Sequence, residues 1–248
     1  MQSAARLIAS QAHNTSGAGV FRAGVEIRLK DGWKTYWRYP GDSGVPPVLD
    51  FSNSQNVASV ATHFPAPSRF PDGAGGNSIG YKGDIIWPVA VVPKDAAKPV
   101  LLHLKLAYAV CEKLCVPAQA NLELTLTGNA SANAQLDAAE ARLPAEVKIG
   151  DAGPLAIRSA HQEAASGKPR VVVDVAAPAG APVTLFAEGP TPQWALPLPE
   201  PIAGAPAGEQ RFAFDLDGLP PGEKPGHATL RLTAVSGDTA IEALFRLD

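Results

Sequence analysis

Between Val20 and Lys30 the apolar residues Phe21, Ala23, Val25, Ile27 and Leu29 alternate with Arg22, Glu26, Arg28 and Lys30. A period of two lays one set of side chains on a core and leaves the other to water, the mark of a half-buried strand. The alternation returns at Leu102, Leu104, Leu106, Tyr108 and Val110 against His103 and Lys105, and again at Leu122, Leu124 and Leu126 against Glu123 and Thr125. Strands of this kind need a second layer to cover their apolar face. Glycine (23) and proline (24) recur throughout the 248 residues, which interrupts long helices and supplies turns such as Asp31-Gly32. An all-β protein is predicted.

From Asn129 to Leu143 the composition shifts to Ala, Asn, Gln, Asp, Glu and Leu, with Leu136, Ala139 and Leu143 at helical spacing and Pro144 behind them. This reads as a short linking helix. Beyond it strand-like runs resume at Val171 to Val175, Val183 to Ala187, Phe212 to Leu216, Ala228 to Val235 and Ile241 to Leu247, separated by turns such as Gly218-Leu219-Pro220-Pro221-Gly222. Short strands at this spacing suggest a second β-sandwich. The expected organisation is therefore two tandem β-sandwiches, 1–128 and 145–248, joined by a helical linker at 129–144.

Charge narrows the function classes. The 21 Lys and Arg against 24 Asp and Glu give a formal net charge of -3, without the basic patch on which nucleic-acid affinity depends, so no nucleic-acid partner is expected. No apolar run approaches the ~18 residues of a membrane span. Met1 to Ser10 lacks the apolar core and small-residue cleavage site of a secretory signal. The chain reads either as cytoplasmic or as the mature part of an exported protein.

Two motifs imitate catalytic ones and fail on their surroundings. Gly41-Asp42-Ser43-Gly44 resembles the nucleophile segment of trypsin-like proteases, yet the sole upstream histidine is His13 and Val45 follows Gly44; it reads as a turn. Gly73 to Gly80 has neither phosphate-cradle spacing nor a following Lys-Ser/Thr, and reads as a flexible loop. His13, His63, His103, His161 and His227 are scattered, without the i, i+4 pairing of a metal site, and each reads as a surface residue.

The most informative residues are Cys111 and Cys115, the sole cysteines. They lie in the connection between two alternating runs, so pairing of those runs as a hairpin places Cys111-Glu112-Lys113-Leu114-Cys115 at its tip. Three chemistries are open to them. A stapling disulfide across a five-residue loop is worth only ~2 kcal/mol in the chain-entropy model, against ~4.7 for a 100-residue loop, and a sandwich of this size buries a core without it. Soft-metal binding would join the cysteines to His103, since thiolates favour copper(I) and zinc, but along a strand His103 lies on the order of 25 Å before Cys111. A short exposed loop suits the third chemistry, thiol-disulfide exchange.

At these residues the sequence resembles the amino-terminal periplasmic domain of the DsbD family of thiol:disulfide interchange proteins, in particular its ScsB-like branch, associated with copper tolerance. The resemblance runs from about Gly32 to Leu126. It is carried by Gly32-Trp33-Lys34-Thr35-Tyr36-Trp37-Arg38, Pro40-Gly41-Asp42-Ser43-Gly44, Pro46-Pro47, Phe64-Pro65-Ala66-Pro67, Gly80-Tyr81, Trp87-Pro88-Val89 and Tyr108-Ala109-Val110-Cys111-Glu112-Lys113-Leu114-Cys115-Val116-Pro117. It implies an immunoglobulin-like redox relay with no cofactor. The domain takes reducing equivalents from a membrane-embedded partner domain of the same parent protein and hands them to periplasmic thioredoxin-like proteins. Cys111 and Cys115 would cycle between dithiol and disulfide, with Cys115 forming mixed disulfides. The segment Phe64 to Asp72, with Phe64 and Phe70, occupies the position of a shielding cap. Trp33, Tyr36 and Tyr108 would wall the site, unless they belong to ordinary core. Lys113 would favour a thiolate and Glu112 oppose it. The branch implies a second immunoglobulin-like domain after Pro144, as spacer or docking surface.

Overall fold

The computed structural model describes residues 2–13, 19–73, 75–127, 130–165 and 168–248. The expected boundary at residue 128 lies outside them. The chain forms two compact units, Met1–Leu143 and Pro144–Asp248. Both are all-β and immunoglobulin-like.

In the first unit the strands are β1 (Ser3–His13), β2 (Val20–Leu29), β3 (Lys34–Gly41), β4 (Val48–Asp50), β5 (Val57–Thr62), β6 (Ser68–Pro71), β7 (Asn77–Lys82), β8 (Ile85–Pro93), β9 (Val100–Cys111) and β10 (Cys115–Leu126). One sheet has the order β1-β2-β8-β5; the other runs β10-β9-β3-β7-β6, with β4 also paired to β9. The alternation read from the sequence decides which face turns inward. Val100, Leu102, Leu104, Leu106, Tyr108 and Val110 of β9 are all buried, as are Ala23, Val25 and Ile27 of β2. β3 follows the same rule, with Thr35, Trp37 and Tyr39 on its inner face. Lys34 and Tyr36 therefore point to the opposite, outer face of the same sheet.

Two features depart from the sequence reading. The stretch read as a flexible glycine loop contributes Asn77–Gly80 to β7, an internal strand between β3 and β6. Its glycine is there for close approach: a Cβ on Gly80 would stand 2.0 Å from the Thr35 carbonyl oxygen, so only glycine lets β3 and β7 lie this close. Helix α1 (Ala134–Glu140) forms where expected, capped by the Asn133 side chain, which accepts from the Gln135 and Leu136 amides. It is docked on the first unit rather than free. Leu136 is fully buried, set close above Gly24, and the largely buried Arg22 pairs with Asp137 and Glu140 at 2.5 Å each.

The second unit contains β11 (Ala145–Glu146), β12 (Ala156–Ala165), β13 (Lys168–Ala176), β14 (Thr184–Glu188), β15 (Glu200–Ile202), β16 (Glu209–Asp215), β17 (Thr229–Ser236) and β18 (Thr239–Arg246). They form two four-stranded sheets, β11-β18-β17-β14 and β12-β13-β16-β15. Trp194, Phe186, Ile157 and Leu185 fill its core. β12 escaped the sequence reading because Ala160, His161, Gln162 and Glu163 carry no apolar alternation; its ladder to β13 holds it. In the same sheet the buried Asp174 accepts from Arg211 at 2.6 and 2.9 Å and from Ser159 at 2.9 Å.

Candidate functional site

β9 and β10 pair without a register shift over twelve positions, from Val100↔Leu126 to Cys111↔Cys115. The cysteines are thus the last directly opposed pair before the turn. Directly opposed residues have Cα atoms about 4.5–5.5 Å apart, inside the range a disulfide spans. Their sulfur atoms lie 2.8 Å apart. Cys111 is half-buried and Cys115 exposed, and the turn residues Glu112, Lys113 and Leu114 are all exposed.

β3 supplies the other wall. Lys34 pairs directly with Cys111, which puts its side chain on the cysteine face, and Tyr36 follows two residues on along that face. The Tyr36 hydroxyl reaches Cys115 Sγ at 2.8 Å, while the residue is only 3% exposed. Burial, reinforced by the two sulfurs beside it, pushes the Tyr36 phenol far above the usual tyrosine value. It therefore stays protonated and remains a hydrogen-bond donor when a thiolate forms. Burial and the neighbouring Cys115 raise the Cys111 thiol; the Tyr36 hydroxyl and the Lys34 ammonium act against that rise. The arrangement holds two thiols within bonding distance, one open to a partner, beside a phenol donor and a cation.

The aromatic residues expected around the pair separate into different places. Tyr36 is in contact with it. Phe70, on β6, shares the outer face of the sheet but lies three strands across from Cys111 and four residues along, since it pairs with Ser78 where Cys111 aligns with Lys34 and Lys82, roughly 20 Å at the backbone. Its ring carries the ammonium groups of Lys34 at 4.7 Å and Lys82 at 5.6 Å, so its connection to the cysteines runs through Lys34, and Cys115 is left exposed. Phe64 is not on this face. It packs in the interior on Trp87, ring centroids 5.4 Å apart, because Trp87 sits at an inward position of β8 and is fully buried. Tyr108 also turns away: three residues before Cys111 on a regular strand it points to the opposite face, and its hydroxyl meets Ser3 Oγ at 2.8 Å. Trp33, half-buried, stands in the turn before β3, its amide donating to the Lys30 carbonyl and its carbonyl accepting from Gly83.

The sequence reading overlooked Lys34, although its place two residues before Tyr36 put it on the same face. It also overlooked the segment Asp42–Gly44, treated there as a plain turn. His103 is far along β9 and pairs with Glu123, Nδ1 to Oε1 3.1 Å; among the described residues no group of three or more His, Cys, Asp or Glu side chains is placed to hold a metal ion. No helix among them is long and apolar enough to cross a membrane.

Comparison with known proteins agrees with this geometry. No curated protein sequence matches the chain. Among solved structures, the N-terminal periplasmic domain of ScsB from Proteus mirabilis superposes with a TM-score of 0.72 at 20% identity, covering 99% of this chain and 93% of that one; at that identity the likeness speaks for the two-unit fold. The family described as thiol:disulfide interchange protein DsbD, N-terminal, matches residues 4–127, which includes every strand of the first unit and both cysteines. The chain belongs to the DsbD N-terminal domain family.

Proposed function

We propose that this chain is a periplasmic thiol-disulfide exchange domain that reduces protein disulfides through Cys111 and Cys115. The observation that carries this reading is the directly opposed pair with sulfurs 2.8 Å apart and one of them exposed. A thiolate on Cys115 attacks a sulfur of a partner's disulfide; that bond breaks, the partner's other sulfur leaves as a thiolate and takes up a proton, and a mixed disulfide forms. Cys111, deprotonated, then attacks Cys115 Sγ and releases the partner's first sulfur, which is protonated in turn. The partner gains two electrons and two protons, and the domain is left as a disulfide. The roles follow the exposure of the two sulfurs: the outer one meets the partner, the inner one resolves.

The surroundings favour a protein as the partner. Val45 and Val48 are 54% and 60% exposed and follow the segment that covers Tyr36; Leu114 and Val116, 79% and 36% exposed, flank Cys115. Exposed apolar side chains on both sides of an exposed thiol suit a protein surface better than a small solute. Within the family relation, the partner reduced is a periplasmic thioredoxin-like protein, and the donor that returns the dithiol is a membrane-embedded domain of the same parent protein.

Equilibration with glutathione followed by trapping tests the reading. The expected result is a reversible two-electron couple in the range of exchange proteins, with Cys111→Ser holding a mixed disulfide to a thioredoxin-like protein and Cys115→Ser holding none. A potential below about −300 mV would make the pair a staple. The reverse trapping pattern would exchange the two roles.

A further inference from the structure

The Pro40-Gly41-Asp42-Ser43-Gly44 segment has no part in the exchange steps above, yet it is packed directly against the residue that touches Cys115. A Cβ on Gly44 would stand 2.7 Å from Tyr36 Cδ1 and 2.8 Å from Cε1, so the Gly44 backbone lies flush on the phenol ring and only glycine fits. The segment is also fastened on its far side. The Asp42 amide donates to the Asn77 carbonyl at 3.0 Å, and Asp42 Oδ2 accepts from the Asn77 amide at 2.9 Å. Ser43 Oγ donates to Asp72 Oδ2 at 2.6 Å, and Ser78 Oγ donates to the Ser43 carbonyl at 2.8 Å. Asp72 in turn accepts from the Gly76 amide at 3.0 Å and directly follows the strand that carries Phe70.

We infer that Asp42-Ser43-Gly44 is a positioning latch for the thiol pair: it clamps the Tyr36 ring from above so that its hydroxyl stays on Cys115, and the Ser43–Asp72 bond ties that clamp to the end of the Phe70 strand. The inference rests on the exchange reading and adds to it the residues that set the poise of the couple. The physical reason is selective stabilisation of one redox form. A phenol hydrogen bond favours a thiol or thiolate over a disulfide sulfur, which is a weak acceptor, so holding the hydroxyl in place stabilises the reduced pair. Tyr36 on β3 and Cys111 on β9 are in contact with Cys115, and Lys34 acts on Cys111; of these the latch touches Tyr36.

The test is the glutathione equilibrium constant of the full chain, measured for the native protein, Tyr36→Phe, Ser43→Ala, Gly44→Ala and the double variant Tyr36→Phe with Ser43→Ala. Tyr36→Phe is expected to shift the constant toward disulfide by about fivefold, the worth of one hydrogen bond of ~1 kcal/mol. Ser43→Ala should move it in the same direction, and the double variant should match Tyr36→Phe, because a latch that acts through the hydroxyl has nothing left to hold. If Gly44→Ala does not fold, Ser43→Ala still decides. Ser43→Ala with a native constant, or shifts that add in the double variant, overturns the latch while leaving the exchange reading intact. A native protein that does not equilibrate with glutathione overturns both.

Discussion

Replacing Gly80 by alanine tests whether the site depends on the close approach of β3 and β7. The added Cβ would meet the Thr35 carbonyl oxygen at 2.0 Å and Tyr36 Cα at 2.9 Å, both of them backbone. No side-chain rotation relieves a clash with main chain, so the strands must part by roughly 1 Å, enough to stretch neighbouring ladder hydrogen bonds beyond their useful length. The pairs at risk are Lys34↔Lys82, Thr35↔Tyr81 and Tyr36↔Gly80. Two weakened bonds at ~1 kcal/mol each and overpacking strain of ~1 kcal/mol or more give a loss of about 3 kcal/mol. For a unit of this size each kcal/mol moves the midpoint by about 3–4 °C, so the first unit should melt about 10 °C lower. Tryptophan fluorescence can follow it, since Trp33, Trp37 and Trp87 lie in the first unit and Trp194 alone in the second. The same displacement carries Tyr36 away from Cys115, so the thiols should also alkylate at a changed rate. Gly83→Ala, outside the ladder pairs at risk, is no clean comparison because of its positive φ, so Gly19→Ala is the control, since a Cβ there meets nothing within 4 Å among the described residues. A Gly80→Ala protein that melts within 2 °C of native (about the size of a surface substitution) with unchanged alkylation would refute the reasoning.

Phe64→Ala should lower the melting midpoint of the first unit, by about 3 kcal/mol of lost packing on Trp87, without changing thiol alkylation. Phe70→Ala should instead release Lys34 and change the alkylation rate; equal alkylation in both variants would remove Phe70 from the site. Lys34→Met takes away a charge that holds the Cys111 thiol down against burial, so Cys111 in a Cys115→Ser background should alkylate more slowly at a given pH, and an unchanged pH profile would count against that coupling. The Arg211 guanidinium, against the cost of burial, holds Asp174 below the usual carboxylate range. A depressed folded value means stability that is present above the unfolded value near 3.9 and is lost as pH falls through the folded one. The second unit should therefore weaken below about pH 4, and Asp174→Asn should flatten that dependence in acid-titrated melting curves.

What the sequence by itself determined is the class of fold and the identity of the reactive pair. Period-two alternation fixes which residues of β2 and β9 face inward, because consecutive side chains on a strand have no choice but to alternate. The short interval between Cys111 and Cys115, set between two such runs, leaves a hairpin tip as their place. Which aromatic residues attend the pair was decided by tertiary structure. Phe64, Phe70, Tyr36 and Tyr108 are all bulky and all near the cysteines in the family pattern, yet hydrophobicity alone does not tell the inner face of a sheet from a covered outer one. Tyr108 is separated from Cys111 by strand parity, which the chain does carry, whereas Phe64, just past β5, goes to the core because Trp87 on the neighbouring strand β8 turns inward to meet it. Tyr36 is the reverse case. It is buried on the outer face, where a strand residue would normally be wet, because Gly44, in the turn that follows β3, folds back over it. The Lys34–Phe70 contact and the Ser43–Asp72 bond join segments about 30 residues apart, and their partners exist only once β3, β6 and β7 are side by side.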